Sequence, residues 1–512
     1  MRRIDRRSFL SETAFLTACA AMAPAAGRLA ADEKAAATKG GPASDKLRVA
    51  CVGVRGQGMS HVRGYAGRHN CVVTTICDVD SGVIGPAMKH VKGKQGTEPA
   101  YEKDIRKVVE DKNIDVISIA TPNHWHALAA IWAMQNGKDV YVEKPVSHNV
   151  LEGRRIVEAS RKYNKICQTG TQSRSQPGMR EAVQFIHDGK IGTVKLARGL
   201  CYKRRDSIGK VDGPQKPPET MDYDLWCGPA PLKMPHRNSK KNGTVHYEWH
   251  WVWDYGNGDL GNQGIHEMDK ARWGLKKDCL PNSVVSVGGR FGYVDDGETA
   301  NTQIICFDYG DCELLFEVRG LPTKGRTYGK GEMKGDKVTA FVGNVWYGSN
   351  GFVVCPSYHG GVAFNNDGEV VKKFEGGGDH FGNFIKAVRS RKKEDLNADI
   401  LEGHLSSALC HLGNVSHRLG KPEPFATGRP RSSRRRPTTP GPTAWPTCGR
   451  TRSMSIRSAT RSAAAKVDNR PEVGGLRRRQ EGVGDADPRV PYRLRRPGQG
   501  LMPPARAGNE AC

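Results

Sequence analysis

Gly53-Val54-Arg55-Gly56-Gln57-Gly58 decides the fold: it ends an apolar run that begins at Leu47, and helical periodicity starts at Met59. A glycine turn between a strand and a helix is the context of a dinucleotide-binding fingerprint. Gly53 would form the tight turn, Gly58 would let helix and strand pack closely, and backbone amides would hold a pyrophosphate. Arg55 replaces the second fingerprint glycine, so Gly56 would allow the close approach. The residues predicted to bind the dinucleotide are Gly53, Arg55, Gly56, Gln57 and Gly58.

Asp78 ends the next apolar run, Val72 to Cys77. A carboxylate at this point, about twenty residues after the glycine turn, typically bonds the ribose hydroxyls of NAD. We therefore predict that Asp78 binds the cofactor and favours NAD over NADP. The alternative is an ordinary glycine turn without a ligand.

Glu143-Lys144-Pro145 follows the apolar run Val140-Tyr141-Val142, and Thr121-Pro122-Asn123 ends another such run. Open α/β sheets bind ligands at the carboxyl edge of their strands, where both motifs would lie. Lys144 is predicted to be a catalytic cation. The residues predicted to line the nicotinamide side are Thr121, Pro122, Asn123, His126, Glu143 and Lys144. Alternatively, Thr121-Pro122-Asn123 is an ordinary turn and the following histidines only cap a helix.

The segment Gly258 to Asp269 is rich in polar groups and has the pattern of a helix start. Asn262, His266 and Asp269 fall near one helical face by their spacing. A histidine placed in this way can take a hydroxyl proton while hydride leaves the same carbon. The alternative is a structural histidine.

The alternation of apolar runs and helical segments divides the chain into two domains. Strands alternate with helices from Leu47 to about Ser147, which predicts a parallel sheet with helices on both faces. From Val194 to Val371 the pattern is β-rich and predicts an open, mostly antiparallel sheet. The fold class is α/β, with an N-terminal Rossmann domain (46–168) and a C-terminal α+β domain (169–426). The helices Phe381 to Arg389 and Leu401 to Arg418 are predicted to return to the first domain.

The N-terminus has the pattern of an export signal. Arg6-Arg7-Ser8-Phe9-Leu10 precedes an Ala-rich apolar stretch that is too short to span a bilayer. This is typical of twin-arginine signals, so residues 1–45 are interpreted as signal and linker, with the twin-arginine export machinery as a partner and the periplasm as the location. Leu16-Thr17-Ala18-Cys19 resembles a lipoprotein cleavage box, so a lipid anchor at Cys19 is an alternative.

Residues 427–512 form an Arg- and Pro-rich segment that carries about half of the net charge of +25. Such a composition predicts a disordered tail, and translation in a shifted reading frame is an alternative origin. The segment lacks interleaved aromatic residues, so no nucleic-acid partner is predicted. The 14 cysteines have neither the spacing of a disulfide framework nor that of a zinc site, and no metal site is predicted.

The glycine turn, Thr121-Pro122-Asn123-His124, Glu143-Lys144-Pro145 and the histidine helix, in this order, resemble the glucose–fructose oxidoreductase/inositol dehydrogenase (Gfo/Idh/MocA) family. The resemblance covers residues 46–425. It implies a homo-oligomer built through the exposed face of the second sheet. It also implies that Lys144 bonds the reacting hydroxyl and that His266 is the general base. Relatives usually carry aspartate where this chain has Asn262, which cannot serve as a carboxylate. The residues predicted to bind substrate are Arg174, Trp253, Asn262 and His266.

Export constrains the chemistry, because a nicotinamide enzyme outside the cytoplasm has no ready pool of free NAD. The cofactor is therefore expected to be tightly bound, and hydride taken from a substrate would be returned. The first hypothesis is an NAD(P)-dependent oxidoreductase acting on a sugar, cyclitol or related polyol. The second is a glycoside hydrolase, lyase or epimerase that uses NAD for transient oxidation. The third is a noncatalytic carbohydrate-binding protein, which Arg55 and Asn262 would permit.

Overall fold

The structure is a computed structural model that describes residues 45–330 and 335–420. The predicted export signal up to residue 44, with Cys19, and the predicted tail 427–512 lie outside these ranges. Among the described helices, none is both long and apolar enough to cross a membrane. Ten of the described cysteines are free thiols, and nine of these are buried.

The first sheet consists, within the described residues, of six parallel strands in the order β3-β2-β1-β4-β5-β6. The order reverses between β1 and β4, and this switch point opens a crevice at the carboxyl ends of the strands. The strands are β1 (Leu47–Val52), β2 (Cys71–Cys77), β3 (Ala100–Glu102), β4 (Val116–Ile119), β5 (Asp139–Val142) and β6 (Cys167–Thr169). The predicted parallel Rossmann sheet is confirmed.

The helices of this domain connect the parallel strands. They are α1 (Gly58–Tyr65), α2 (Gly85–Gln95), α3 (Ile105–Glu110), α4 (Asn123–Gln135) and α5 (Val150–Lys162). The sequence interpretation did not include α2, β3 or α3. α2 buries only Ala87 and Val91 and is otherwise polar, so it has little hydrophobic periodicity.

The second sheet consists, in the described part of the chain, of eight strands in the order β16-β15-β14-β13-β7-β10-β9-β8. β7 and β10 pair in parallel, and the other neighbours are antiparallel. The strands are β7 (Val194–Cys201), β8 (Ser283–Gly289), β9 (Thr302–Asp308), β10 (Glu313–Arg319), β13 (Val342–Gly348), β14 (Gly351–Cys355), β15 (Gly361–Asn365) and β16 (Val370–Phe374), with β11 (Arg326–Tyr328) and β12 (Val338–Ala340) forming a separate pair. The predicted, mostly antiparallel second sheet is confirmed.

The remaining helices follow the first sheet along the chain. They are α6 (Pro177–His187), α7 (Tyr223–Cys227), α8 (Gly258–Asn262), α9 (Gly264–Gly274), α10 (His380–Ser390) and α11 (Ile400–Leu419). α10 returns to the first domain, where Phe384 and Ile385 pack in one core with Val49 and Tyr141. α11 packs against α5 and β6 of the first domain and against α9 and β8 of the second. The predicted return of both helices is confirmed.

The predicted histidine helix is interrupted at Gln263, between α8 and α9. At the interruption the His266 amide bonds the Gln263 carbonyl (3.2 Å), one residue nearer than in an α-helix. The Asn262 carbonyl is thereby left for another donor, and this shapes the candidate site.

Candidate active site

A cleft of about 900 Å³ lies at the carboxyl edge of the first sheet and is closed by the second domain. The first domain lines it with the glycine turn, Asp78, the turn after β4 and Lys144. The second domain adds His266 from α9. The structure thus brings together the motifs that the sequence separates by up to about two hundred residues.

The glycine turn has the geometry that its residue types require. Gly53 has φ +76°, and a Cβ there would lie 2.8 Å from the backbone of Ala120. A Cβ on Gly58 would lie 1.8 Å from the Gly53 carbonyl oxygen, so this position tolerates only glycine. At Gly56 (φ +62°) a Cβ would meet nothing within 4 Å, because this residue borders open space at the cleft.

The backbone amides of Arg55, Gly56 and Gln57 have no protein acceptor among the described residues. They precede the first turn of α1, where the helix dipole favours negative charge. Consecutive free amides at a helix N-terminus form an anion site suited to a phosphate.

Asp78 lies at the cleft and also holds the glycine turn. Its carboxylate accepts hydrogen bonds from the amides of Val54 (2.9 Å) and Asp80 (3.1 Å). Burial raises the pKa of Asp78 to about 6, although these hydrogen bonds oppose the shift. Asp78 thus lies in the cleft, at the position where the sequence analysis predicts a contact with the ribose.

The turn after β4 supplies one wall of the cleft. The buried Thr121 hydroxyl oxygen has no hydrogen-bond partner among the described residues, and Asn123 donates to the Asn257 side chain (2.9 Å). His126 contacts the carbonyl oxygens of Pro145 (2.6 Å) and Thr121 (2.7 Å). It braces the two motif turns against each other, and its ring nitrogens are not free for a ligand.

Glu143 is a buried carboxylate that other side chains hold in place. It accepts hydrogen bonds from Gln57 (3.1 Å), Gln172 (3.2 Å) and the Lys144 amide (3.1 Å), and His61 lies at 3.2 Å. Burial alone would raise the pKa of Glu143, but the His61 hydrogen bond and nearby positive charges lower it to about 2. Glu143 is therefore ionised and orients the strand end that carries Lys144.

Lys144 projects from the strand end into the cleft. Its Nζ donates to the Asn262 carbonyl (2.9 Å), the group that the helix interruption leaves available. Burial lowers the pKa of Lys144, the Glu143 carboxylate opposes this, and the charges of Lys203 and Arg205 add to it. After the Asn262 bond, two N–H groups of Lys144 remain for a ligand.

His266 is buried beside Lys144, with its ring edge-on to Tyr358 at 4.9 Å. Burial and, second, the Lys144 charge hold the pKa of His266 well below its ordinary value. Its Nδ1 has no hydrogen-bond partner among the described residues. A neutral imidazole with an unpaired nitrogen can act as a base.

Two residues predicted to bind substrate lie elsewhere. Arg174 is buried and donates to Asp269 (2.8 Å) and Glu402 (2.9 Å), so its guanidinium is used between elements of the fold. Trp253 does not line the cleft, and its ring lies under the Arg418 guanidinium at 4.9 Å. Of this predicted set, Asn262 and His266 line the cleft.

The aromatic stretch Trp249 to Asp254, which in sequence resembles a substrate rim, contributes Trp249 and His250 to the lining of the cleft. Trp249 and His250 stack at 3.6 Å between ring centroids, and Tyr247 beside them has φ +60° in a γ-turn closed by the Glu248 amide and the His246 carbonyl (2.7 Å). Such a backbone is strained for a non-glycine residue and is typical of functional sites. Cleft residues that the sequence analysis did not select include Lys203, Gln263 and Tyr358. These three carry no local signal in the sequence.

These residues fit a dinucleotide. The free amides of the glycine turn suit the pyrophosphate, Asp78 suits a ribose, and the orphaned Thr121 hydroxyl and Lys144 suit the nicotinamide end. The cleft volume is in the range of cofactor sites.

Two family models match the chain. Residues 47–171 match the oxidoreductase family with an NAD-binding Rossmann fold (GFO_IDH_MocA), and residues 191–431 match the C-terminal alpha/beta domain of the oxidoreductase family (GFO_IDH_MocA_C2).

The curated relatives are similar over part of their length. A "Glycosyl hydrolase family 109 protein" of Saccharopolyspora erythraea is 32% identical over 162 residues, 31% of this chain and 35% of the relative. An "Alpha-N-acetylgalactosaminidase" of Shewanella oneidensis is 29% identical over 179 residues, 33% of this chain and 39% of the relative. The match thus spans about a third of each relative.

Solved structures share the fold over most of their length. The WlbA dehydrogenase from Bordetella pertussis, in complex with NADH and UDP-GlcNAcA, has a TM-score of 0.52 at 18% identity and covers 74% of this chain and 99% of its own. The aldose-aldose oxidoreductase from Caulobacter crescentus has a TM-score of 0.52 at 14% identity and covers 73% and 98%.

Proposed function

Because this chain belongs to the Gfo/Idh/MocA family of NAD(P)-dependent oxidoreductases, we propose that it oxidises a hydroxyl of a sugar, cyclitol or related polyol. The observation that carries the proposal is His266, with a depressed pKa, beside Lys144 in the cleft that the glycine turn and Asp78 also line. When bound, NAD supplies the hydride acceptor at this end.

The side chains divide the proton chemistry between them. Lys144 donates a hydrogen bond to the substrate oxygen and stabilises its developing negative charge. His266 takes the hydroxyl proton, because its depressed pKa keeps the imidazole neutral. Glu143 orients the Lys144 backbone through the bond to its amide. The Asn262 side chain lines the cleft and supplies an amide, not a carboxylate, so the proton leaves through His266.

The segment 203–257, which we name the cover segment, supports tight retention of the cofactor. It attaches to the first domain at the end of β2, where His246 lies 2.7 Å from Asp80, and at the start of α4, where the Trp125 indole donates to the Trp226 carbonyl (3.0 Å). Between these attachments it has its own apolar core. A dinucleotide lying in the cleft would have to pass beside this segment to leave, and such retention suits an exported, periplasmic enzyme.

A second candidate is a glycoside hydrolase, lyase or epimerase that oxidises its substrate transiently and then returns the hydride. The names of the curated relatives favour this candidate. It uses the same residues, since the first oxidation again needs His266 as base and Lys144 as donor. The two candidates differ in whether NADH accumulates.

The full-length protein with its retained dinucleotide tests these proposals. We expect mass spectrometry to identify the retained dinucleotide as NAD(H). We also expect at least one compound in a panel of sugars and glycosides to change the absorbance of the bound dinucleotide. Lys144→Met should slow this change by at least about a hundredfold while the dinucleotide stays bound. Lys162→Met, on the surface of α5, is the matched control.

Each outcome separates the hypotheses. Stoichiometric NADH accumulation supports the oxidoreductase, and substrate cleavage or epimerisation without net NADH supports the second candidate. Sugar binding with no absorbance change, in the original protein and the Lys144 variant alike, would instead favour a noncatalytic binder. A purified protein that neither retains nor takes up NAD would overturn the whole proposal.

A further inference from the structure

We propose that the reaction end of the cleft takes an acidic sugar, and that Lys203 pairs with the anionic oxygens of its carboxylate or sulfate ester. The inference rests on the proposed function and deepens it by naming the substrate class. Lys203 lies two residues after the end of β7 and lines the cleft together with Lys144 and His266.

At the reaction end of the cleft, Lys203 is a positively charged side chain that is not matched by a neighbouring carboxylate of the described residues. Arg205 is neutralised by Asp259 (2.7 Å), Lys270 lies 3.5 Å from Glu267, and Lys144 follows the ionised Glu143. Within residues 45–330 and 335–420, Lys203 forms no ion pair, and its Nζ donates to the Gln263 side chain (2.8 Å).

The Lys203 charge reaches the reacting groups. It contributes to lowering the pKa of Lys144, after burial and against Glu143. It also contributes to lowering the pKa of His266, after burial and the charges of Lys144 and Lys270 and against Glu143. An anion bound at Lys203 would offset this field close to the bond being broken.

The hydrogen-bonding capacity of this end favours an acceptor-rich ligand. Lys203 keeps two N–H groups after bonding Gln263. The Tyr358 hydroxyl accepts from Gln263 Nε2 (2.5 Å), so its own hydrogen remains to be donated, and burial raises the pKa of Tyr358. With the two free N–H groups of Lys144, the donors match anionic oxygens, which accept several hydrogen bonds.

Lys203 is exposed to solvent at the edge of the cleft, and its hydrogen bond to Gln263 (2.8 Å) orients it toward the cleft. Its partner Gln263 is buried at the junction of α8 and α9 and is bonded in turn to Tyr358. The stacked Trp249 and His250 rings also line the cleft and offer an apolar face to a sugar ring. The cleft therefore combines a ring platform with a cation at its edge.

Paired probes test the inference on the full-length protein with its retained dinucleotide. Calorimetry would compare methyl glucuronide with methyl glucoside, methyl galacturonide with methyl galactoside, and glucose 6-sulfate with glucose. We expect an acidic probe to bind at least about tenfold more tightly than its neutral partner. Lys203→Gln should abolish this preference, whereas Lys203→Arg and the surface control Lys190→Gln should keep it.

The sign of the preference and its dependence on Lys203 decide the outcome. Equal binding of every acidic and neutral pair, or a preference that survives Lys203→Gln, would overturn the inference. Preference for the uronides identifies the group as a carboxylate, and preference for the sulfated sugar identifies a sulfate ester.

The two proposals fail in different ways. Turnover of neutral sugars without any preference for acids would leave the oxidoreductase standing and remove the acidic substrate. Lys203-dependent binding of an acidic sugar that never changes the dinucleotide absorbance would support the acidic ligand and remove the oxidoreductase proposal.

Discussion

Gly58 and Gly93 are both glycines inside helices of the first domain, yet their surroundings differ. A Cβ on Gly58 would lie 1.8 Å from the Gly53 carbonyl oxygen, and a Cβ on Gly93 would meet nothing within 4 Å. We expect Gly58→Ala to lower the free energy of unfolding by about 2–3 kcal/mol and to reduce dinucleotide retention, because the glycine turn must move. Urea unfolding and the bound-dinucleotide content measure the two effects.

Gly93→Ala is the matched control, since the same change in open space should raise stability by up to about 1 kcal/mol. Equal effects at both positions would contradict the proposed role of close packing at the turn.

His266 should make stability depend on pH. Burial and the Lys144 charge hold its folded pKa well below the ordinary value, so only the unfolded state takes up a proton below about pH 6.5. Stability from this residue is therefore lost as the pH falls. From pH 7 to pH 5, we expect the free energy of unfolding of the original protein to fall by about 2 kcal/mol more than that of the His266→Gln variant. A difference that stays constant over this range would contradict a depressed pKa.

At the scale of elements, the cover segment is a piece of chain whose attachments to the first domain can be weakened one at a time. His246 lies 2.7 Å from Asp80, which also accepts from the Thr220 hydroxyl (2.5 Å). We expect His246→Ala to speed dinucleotide release by about three- to tenfold, because one contact to the end of β2 is lost. Displacement of bound NADH, followed by its fluorescence, measures the rate.

His236→Ala is the control within the same segment, because His236 faces Asp296 of the second domain (3.6 Å). It should leave the release rate unchanged. Equal acceleration in both variants would mean that the segment loosens as a whole and that the His246 contact has no special part.

Element prediction succeeded where the signal was local. The apolar runs Val140 to Val142 and Val72 to Cys77 lie within β5 (Asp139–Val142) and β2 (Cys71–Cys77). The interruption at Gln263 was missed, because the sequence from Gly258 to Asp269 has continuous helical spacing. Tertiary contacts accompany the interruption: a Cβ on Gly264 would lie 3.1 Å from Phe316, and the Asn262 carbonyl accepts a hydrogen bond from Lys144.

At the scale of the whole molecule, the second sheet presents an apolar strip on the face away from α11. Val285, Val287 and Ile304 are 47%, 61% and 37% exposed, and Val287 pairs with Ile304 across β8 and β9. We propose that this face forms the homo-oligomer interface. Val287→Asp should then raise the concentration of half-dissociation at least about tenfold, because it buries a charge.

Light scattering over a dilution series measures this effect. Val294→Asp changes an equally apolar residue that is 81% exposed and lies outside the strands, so it should leave the mass unchanged. A protein that is monomeric at every concentration would exclude the interface.

Ion pairs between distant segments of the chain explain why the prediction of Arg174 as a substrate ligand did not succeed. Arg174 looks like a substrate ligand in sequence, but Asp269 and Glu402 come from distant parts of the chain to bind it. Glu402, which is partly exposed, also pairs with Arg272, so these charges form one cluster. Nothing within a short window of sequence reports such partners.

The sequence by itself determined the family, the two-sheet architecture and the motif residues Gly53, Gly56, Asp78, Lys144 and His266 that line the cleft. Turn-forming residues and hydrophobic periodicity are properties of short stretches of sequence, so they can be recognised before the tertiary structure is known. Only the tertiary structure decided which other polar groups face the ligand: it turned Arg174 and Trp253 away and brought Lys203 and Tyr358 in. The direction of a side chain depends on segments packed from far along the chain.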